Sequence, residues 1–437
     1  MPYDIIIGRD DADKKSFGKK GLIFVGKGFV KMGNYTSLSN PLWLDVARSH
    51  VILVAGKRGS GKSYSLSSIA EQITDLPHEE AKNIAPIIFD TMGIFWTMKY
   101  KNDKDKELLA DWGLKPKSLP VRVLVPSGHY RDYLNKGIPV DEGFSINISD
   151  LSVDDWILTF NLEMTSEPAV LIQKVIGSLK INDSKGFVID DIIDLAINDK
   201  YSSQPVKNVV IGLFEAAKTW GIFSTKSNTG TVISSLAKSE VTTVIDLSPY
   251  NSVGSFNIRA LVIGLITRKL FNERVSARKS EEIQSIGRGE DYLAFSIKRD
   301  MPLVWLFIDE IHEFIPETHK TPATDALIQL LREGRQPGIS IVMATQQPGA
   351  LHRDAITQSD IVISHRVTSE IDLKALNNMM QSYLLSGINK YMDELPHLKG
   401  SAIILDDNSE RIYPMRIKPK FTWHGGEAPS AVKVDKK

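Results

Sequence analysis

Val51-Ile-Leu-Val-Ala-Gly56-Lys-Arg-Gly-Ser-Gly-Lys62-Ser63-Tyr64 decides how the rest of the chain is read. The run from Val51 to Ala55 is apolar and rich in β-branched residues, the composition of a buried strand. Gly56 to Ser63 then fits the pattern G-x-x-x-x-G-K-[ST], and Leu66, Ile69 and Ala70 recur at helical spacing. A strand that stops in a glycine-rich turn and restarts as a helix turns backbone N–H groups inward around an anion, at the positive end of the helix dipole. Gly56, Gly59 and Gly61 permit that path, and Lys57, Arg58, Ser60 and Tyr64 complete the lining. Lys62 reaches the β- and γ-phosphates as a point charge, and the Ser63 hydroxyl ligates Mg²⁺. A nucleotide site follows, with Mg²⁺ as its ion. ATP is the nucleotide expected: Asn135-Lys-Gly-Ile and Asn389-Lys-Tyr-Met lack the aspartate that a guanine-reading N-K-x-D motif needs.

Outward from this stretch, strand-like runs occur at Ile84 to Asp90, Val121 to Val125, Thr242 to Leu247, Leu303 to Asp309, Ile339 to Thr345, Ile361 to Ser364 and Ala402 to Leu405. Most are continuously apolar rather than alternating, as strands buried on both faces of a parallel sheet are. Helical patterns lie between them, so the fold class is α/β: a doubly wound sheet with nucleotide at the strand C-termini. Between Val125 and Thr242 the strand signal fades. Ser152-Val-Asp-Asp155 reads as a helix-start box, followed by helical patterns at Val170 to Leu179, Ile189 to Ile197 and Val206 to Trp220. The expected division is a β segment over 1–45, a core split between 46–130 and 239–423, a helical insertion over 131–238, and a flexible tail over 424–437. A long helix is expected from about Asn257 into the polar stretch Ala277 to Glu290.

A second landmark is Leu303-Val-Trp-Leu-Phe-Ile-Asp309-Glu310. An apolar strand ending in two acids suits a Walker B motif, in which Asp309 holds Mg²⁺ and Glu310 orients and deprotonates the attacking water. A third is Leu330-Leu-Arg332-Glu-Gly-Arg335-Gln-Pro, leading into a strand that ends Ala344-Thr345-Gln346-Gln347. Gln346 stands at a strand tip, where an amide senses the γ-phosphate or aligns water. Arg332 and Arg335 close a helix. They read either as cations on a helix C-terminus or as an arginine finger entering a neighbouring subunit's site.

Composition narrows the alternatives. The chain has 437 residues, 42% of them hydrophobic, enough for two or three domains. No run reaches the ~18 apolar residues of a membrane span. Acidic residues at Asp4, Asp10, Asp11 and Asp13 stand where a signal peptide would be apolar, so a cytoplasmic protein is expected. With 0 cysteines, disulfides and thiolate chemistry are excluded. His312 and His319 do not have metal-ligand spacing and read as surface or packing residues. The 53 basic and 53 acidic side chains cancel, so any DNA contact must be local. Lys226 to Thr229 and Arg278 to Arg288 are polar, partly basic candidates for pore loops.

The run from Arg332 to Pro348, followed by Leu351, Asp354, Ile356 and Gln358, resembles the HerA branch of the HerA/FtsK ATPases. Leu44-Asp45-Val-Ala-Arg-Ser-His50-Val, Val244-Ile-Asp-Leu-Ser248 and Leu395-Pro-His-Leu-Lys-Gly-Ser-Ala-Ile403 resemble family segments in the same order. The resemblance implies a hexameric ring with a RecA-like core and a helical-bundle insertion. It also implies ATP-driven movement on double-stranded DNA in DNA processing or repair, often beside a NurA-type nuclease. It favours Arg332 or Arg335 as the finger and Gln346 as the sensor. At the second strand the family commonly reads Asp-Pro-His-Gly-Glu-Tyr and this chain reads Asp90-Thr-Met-Gly-Ile-Phe95, so only Asp90 is carried over, as a nucleotide-site residue. About forty residues precede the phosphate-loop strand where the family usually has a barrel domain, which leads us to expect a reduced barrel region. Two other readings keep the ATPase and change its work: a conjugation or secretion-type motor, or a nucleotide-gated scaffold for an effector enzyme.

Overall fold

The computed structural model describes residues 3–32, 35–182, 186–226, 229–252, 257–288, 299–367, 369–380 and 388–427. The loop candidate at 226–229 lies partly outside these, as does the tail from residue 428 onward.

The chain opens with β1 (Ile5–Ile7), β2 (Leu22–Met32) and β3 (Tyr35–Asp45), then enters the core through β4 (Val51–Ala55), β5 (Ile84–Asp90), β6 (Val121–Pro126) and the short β7 (Glu142–Phe144). After a helical stretch come β8 (Thr242–Asp246), β9 (Leu303–Ile308), β10 (Ile339–Thr345), β11 (Ile361–His365), β12 (Ser401–Asp406) and β13 (Arg411–Ile417). These 13 strands form one sheet in the order β1-β3-β2-β13-β12-β11-β4-β10-β9-β5-β8-β6-β7. From β11 to β7 every neighbouring pair is parallel; β12, β13, β2 and β3 continue it antiparallel.

The continuously apolar strands are explained by burial on both faces. Leu53 and Ala55 pack into one core, with the helical stretch and the long helix, while Ile52 and Val54 pack into the other, with Leu66, Ile69 and Ala70 of the phosphate-loop helix. Helices cover both faces of the sheet, and among the described residues of 148–236 the regular elements are helices, with Phe223 forming an isolated parallel bridge to Ile146. There the helix Val153–Thr159 begins with a capping box: the Ser152 hydroxyl accepts from the Asp155 N–H at 3.1 Å and the Asp155 carboxylate accepts from the Ser152 N–H at 2.7 Å. Such a cap contributes ~1 kcal/mol and aims Trp156 inward, against Phe160, Phe214 and Phe223 with ring centroids 4.9–5.4 Å away.

The long helix Ile258–Arg288 includes all of Arg278 to Arg288, so that loop candidate is corrected to the end of a helix. Its Arg274 is fully buried and donates to the backbone carbonyls of Pro337 and Met301, each at 2.8 Å. That guanidinium ties the helix to the turn entering β10, just past Arg335.

Candidate nucleotide site

In the sheet β4 lies between β11 and β10, and β10 separates β4 from β9. The phosphate loop, the tip of β10 and the acidic end of β9 are thereby brought together at the C-terminal edge, where open α/β sheets bind ligands.

The loop is held at its base by the two flanking strands. The Gly56 N–H donates to the Thr345 carbonyl at 3.3 Å, and the Lys57 N–H to the Arg366 carbonyl at 3.1 Å. Gly59 and Gly61 have φ of +75° and +109°, conformations costly for any other residue. A Cβ on Gly59 would meet nothing within 4 Å, whereas one on Gly56 would fall 2.4 Å from the Ser60 hydroxyl. The loop is closed beneath and open above. Lys57, Arg58 and Gly59 are exposed on its outer side.

The chemistry-bearing side chains converge inside. The Ser63 hydroxyl donates to the Asp309 carboxylate at 2.5 Å. Asp309 is buried, and desolvation raises its pKa against the lowering effect of that hydrogen bond. Lys62 is also buried; its ammonium makes one long bond, 3.4 Å, to the Lys57 carbonyl, and desolvation lowers its pKa while Glu310 and Asp309 pull it back. Glu310 sits at φ +51°, uncommon for a residue with a side chain, so its carboxyl departs sharply from the line of β9. Burial, and then the neighbouring Asp309 charge, push its pKa up to about 7 against the lowering effect of Lys62 and the Gln346 backbone.

Polar capacity is left unmet here. The Ser60 hydroxyl and the Glu310 Oε2 are buried with no hydrogen-bond partner among the described residues. Orphaned buried polar atoms are rare and costly in folded proteins. Beside a half-bonded lysine and an open glycine turn, they fit a phosphate chain with an oxygen-seeking divalent cation next to it. Ser63 and Asp309 are the oxygen donors suited to Mg²⁺.

Two expected nucleotide contacts are otherwise engaged. Asp90 at the end of β5 accepts the N–H groups of Met92, Gly93 and Phe95 at 3.1, 2.7 and 2.8 Å, which occupies both carboxylate oxygens with its own loop. It faces Asp246 of β8, and burial and that neighbour raise its pKa to about 8. Asp90 thus supports its own loop, and none of these bonds reaches the phosphate loop. The Tyr64 hydroxyl accepts from the Lys420 N–H at 2.6 Å, and its ring meets His424 edge-on at 5.0 Å. Tyr64 thus holds the segment after β13, which also delivers Lys418, Phe421 and Thr422 to the buried carboxylate of Glu71 on the same helix.

The two arginines stand elsewhere. Arg332 ends the helix Thr324–Glu333 and pairs with Asp354 at 2.5 Å; Arg335 is exposed in the turn before β10. β10 separates that turn from Thr345 at the phosphate loop, a path of roughly 20 Å at the rise of a strand. Among the described residues no ion pair or hydrogen bond joins either guanidinium to its own chain's phosphate loop.

Reading the motifs missed His312 and His365. His312 Nδ1 lies 3.5 Å from Glu310 Oε2 and 3.3 Å from the Thr345 hydroxyl. His365 is buried beneath the loop at the end of β11. Nothing local distinguishes either from a packing histidine; only the fold brings them in.

Comparison with known proteins bears on the family and the fold. Two archaeal relatives are DNA double-strand break repair helicases named HerA. That of Pyrococcus furiosus is 24% identical over 217 residues, 46% of this chain and 36% of the relative. A probable one from Methanocaldococcus jannaschii is 27% identical over 121 residues, 26% of this chain and 24% of the relative. The matched stretches thus span about a third or less of those proteins. Among solved structures, VirB4 of Thermoanaerobacter pseudethanolicus superposes with a TM-score of 0.55 at 12% identity, covering 92% of this chain and 97% of VirB4. The bacterial conjugative coupling protein TrwB, in a form named TrwBdeltaN70, gives 0.51 at 12% identity over 95% and 99%. Both likenesses are of fold. The family model for the central domain of helicase HerA matches residues 30–270, more than half of the 437, and runs through the phosphate loop and the helical stretch. This chain belongs to the HerA family, within the HerA/FtsK superfamily of P-loop ATPases.

Proposed function

We propose that this protein hydrolyses ATP to drive movement along, or remodelling of, double-stranded DNA, working in the cytoplasm as a ring of identical copies, a hexamer by family resemblance. The observation that carries the ATPase step is the 2.5 Å contact between Ser63 and Asp309, with Glu310 beside it at a pKa near 7. Ser63 and Asp309 hold Mg²⁺, which when bound neutralises charge on the β- and γ-phosphates. Lys62 and the loop N–H groups bind the phosphate chain. Glu310 accepts the proton of the attacking water, since a base poised near neutral pH suits that transfer. Gln346, which follows Thr345 at the tip of β10, reports on the γ-phosphate.

Arg332 and Arg335 act in trans. Their position beyond the far end of β10 supports this, because a guanidinium distant from its own loop serves a neighbour's site or none. DNA as the substrate rests on the names of the HerA relatives, and a NurA-type nuclease is the partner that the resemblance offers. We retain the domain division of a β segment, a split core and a helical insertion as the working description.

The test is steady-state ATP hydrolysis with and without linear duplex, at low and moderate salt. Severalfold stimulation that weakens with salt is expected of a motor gripping phosphates. A rate indifferent to duplex would overturn the DNA assignment and leave an ATPase serving a protein partner.

A further inference from the structure

The segment Leu395-Pro-His-Leu-Lys-Gly-Ser401 is distant in sequence from the phosphate loop, and the proposed chemistry gives it no task. The structure connects it to the loop through the two residues at the end of β11. Arg366 uses its backbone carbonyl to accept the Lys57 N–H at 3.1 Å, while its guanidinium donates to the Leu395 carbonyl at 3.2 Å and lies 2.7 Å from His397 Nδ1. His365 does the same from inside. Its Nδ1 is 3.1 Å from the Ser401 carbonyl and its Nε2 is 2.8 Å from the Ser65 hydroxyl.

Those partners fix the tautomer. A carbonyl only accepts, so Nδ1 carries the proton; Nε2 then has a lone pair and accepts the Ser65 O–H. The ring is fully buried, and burial lowers its pKa to about 4, so it is neutral at ordinary pH. It is also the floor of the loop: a Cβ on Gly61 would stand 3.6 Å from the ring and one on Gly56 would stand 2.7 Å from the His365 Cβ. Ser65 lies two residues after Ser63, in the first turn of the phosphate-loop helix.

We propose that His365 is a positioning residue of the nucleotide site, holding Ser65 and the first turn of the phosphate-loop helix in register and linking nucleotide binding to the segment Leu395–Ser401. The proposal rests on the nucleotide site argued above. It assigns His365 no contact with nucleotide; the imidazole acts through Ser65 and the loop it supports. Its neutral ring is matched to the task, because a buried cation under a loop that already holds Lys62 would work against that charge.

A double-mutant cycle on the whole protein tests this, with a fluorescent ADP analogue and Mg²⁺ as the probe and thermal unfolding followed in parallel. Asn in place of His365 keeps a donor near the Nδ1 position and removes the acceptor for Ser65; Gln keeps a polar group near Nε2 and removes the donor to Ser401. Losing one hydrogen bond of ordinary strength corresponds to roughly a tenfold change in an equilibrium. His365→Asn and Ser65→Ala should each weaken binding of the analogue about tenfold, and the double variant should be no weaker than the worse single one. His365→Gln should recover part of the loss, and Ser68→Ala, one turn further along the helix, should bind as the wild type does. The inference is overturned if the two single losses multiply in the double variant, or if His365→Asn lowers the unfolding temperature while leaving affinity unchanged. Should His365→Asn fail to fold, Ser65→Ala alone still decides: binding of the analogue at wild-type affinity in that variant overturns the inference. If the wild type binds no analogue and matches Lys62→Ala, the nucleotide reading falls and this inference with it. If the wild type binds and only the cycle is additive, the inference alone falls.

Discussion

The two ends of the central strands both bury charge, and they treat it in opposite ways. At the C-terminal end the Ser60 hydroxyl and the Glu310 Oε2 have no hydrogen-bond partner among the described residues, Lys62 makes one long bond, and burial raises the pKa of both Asp309 and Glu310. At the N-terminal end an ionic cluster is bonded throughout. Asp45 at the end of β3 accepts from Arg9 at 2.9 Å and from the Ala47 and Arg48 N–H groups, and it lies 3.2 Å from His50 Nε2. His50 Nδ1 is 2.7 Å from Asp360, which also accepts the Val51 N–H at 2.8 Å. Burial opposes a charge on His50, yet its two carboxylate partners raise its pKa to about 9. The satisfied cluster joins the first strands to the core. The unsatisfied one has the unmet bonding capacity that a ligand would complete, and perturbed groups left open in this way mark function rather than architecture.

The sharpest way to break this contrast is at Glu310. Glu310→Gln keeps the shape and removes the base, so hydrolysis should fall by about 10²–10⁴-fold with nucleotide binding retained, while Lys62→Ala should lose binding itself. Stopped-assay phosphate release alongside analogue binding separates the two. If Glu310→Gln hydrolyses at the wild-type rate, Glu310 is another structural acid and the contrast collapses at its strongest point.

Next in size is the removal of one member of the bonded cluster. Asp45→Ala leaves Arg9 and His50 as buried cations facing a gap, and breaking a buried pair from one side costs about 3–5 kcal/mol. Denaturant unfolding should show a loss of that order. Nucleotide affinity measured well below the transition should not change, because no bond of Asp45 reaches the phosphate loop. A collapse of affinity without loss of stability would mean that the two ends are not separable.

How much of this was open to reading follows from sequence distance. The phosphate loop, the acidic end of β9 and the Gln346 tip are each written in a few consecutive residues, and the doubly buried strands announce themselves because no alternation dilutes them: β5 and β10 occupy the apolar runs at Ile84–Asp90 and Ile339–Thr345. β13 was silent. Arg411, Arg416 and Pro414 interrupt it, and only Met415 and Ile417 are buried. Asp90 shows a different limit. β5 and β8 end in Asp90 and Asp246, and β9 is followed directly by Asp309; only sheet order reveals that the last is separated from the phosphate-loop strand by a single strand. The bonds between Ser65 and His365 and between His50 and Asp360 join residues 300 and 310 positions apart, and no local pattern encodes such a meeting.

Smaller in effect is the pH dependence of the cluster. The His50 pKa is raised from 6.5 to about 9 on folding, so its contribution is fully present below pH 6.5 and is lost as pH rises through about 9. A shift of that size corresponds to roughly 3 kcal/mol. Unfolding temperature measured from pH 6 to 10 should decline across that window, and the decline should be much reduced in Asp45→Ala. An equal decline in both would assign the pH dependence to other groups.

Asp360→Asn is the mildest probe and the most discriminating. The side chain of Asp360 is 37% exposed, so its charge is partly screened and the loss should be about 1 kcal/mol or less. The amide oxygen can still accept from the Val51 N–H, which preserves the start of β4, but it no longer favours a charged imidazole. The alkaline midpoint of stability should therefore move downward even where the stability at pH 6 scarcely changes. That combination, a displaced midpoint with an intact fold, would identify His50 as a cation held by two carboxylates; an unmoved midpoint would leave Asp45 alone as its counter-ion and make Asp360 a cap for the first residue of β4.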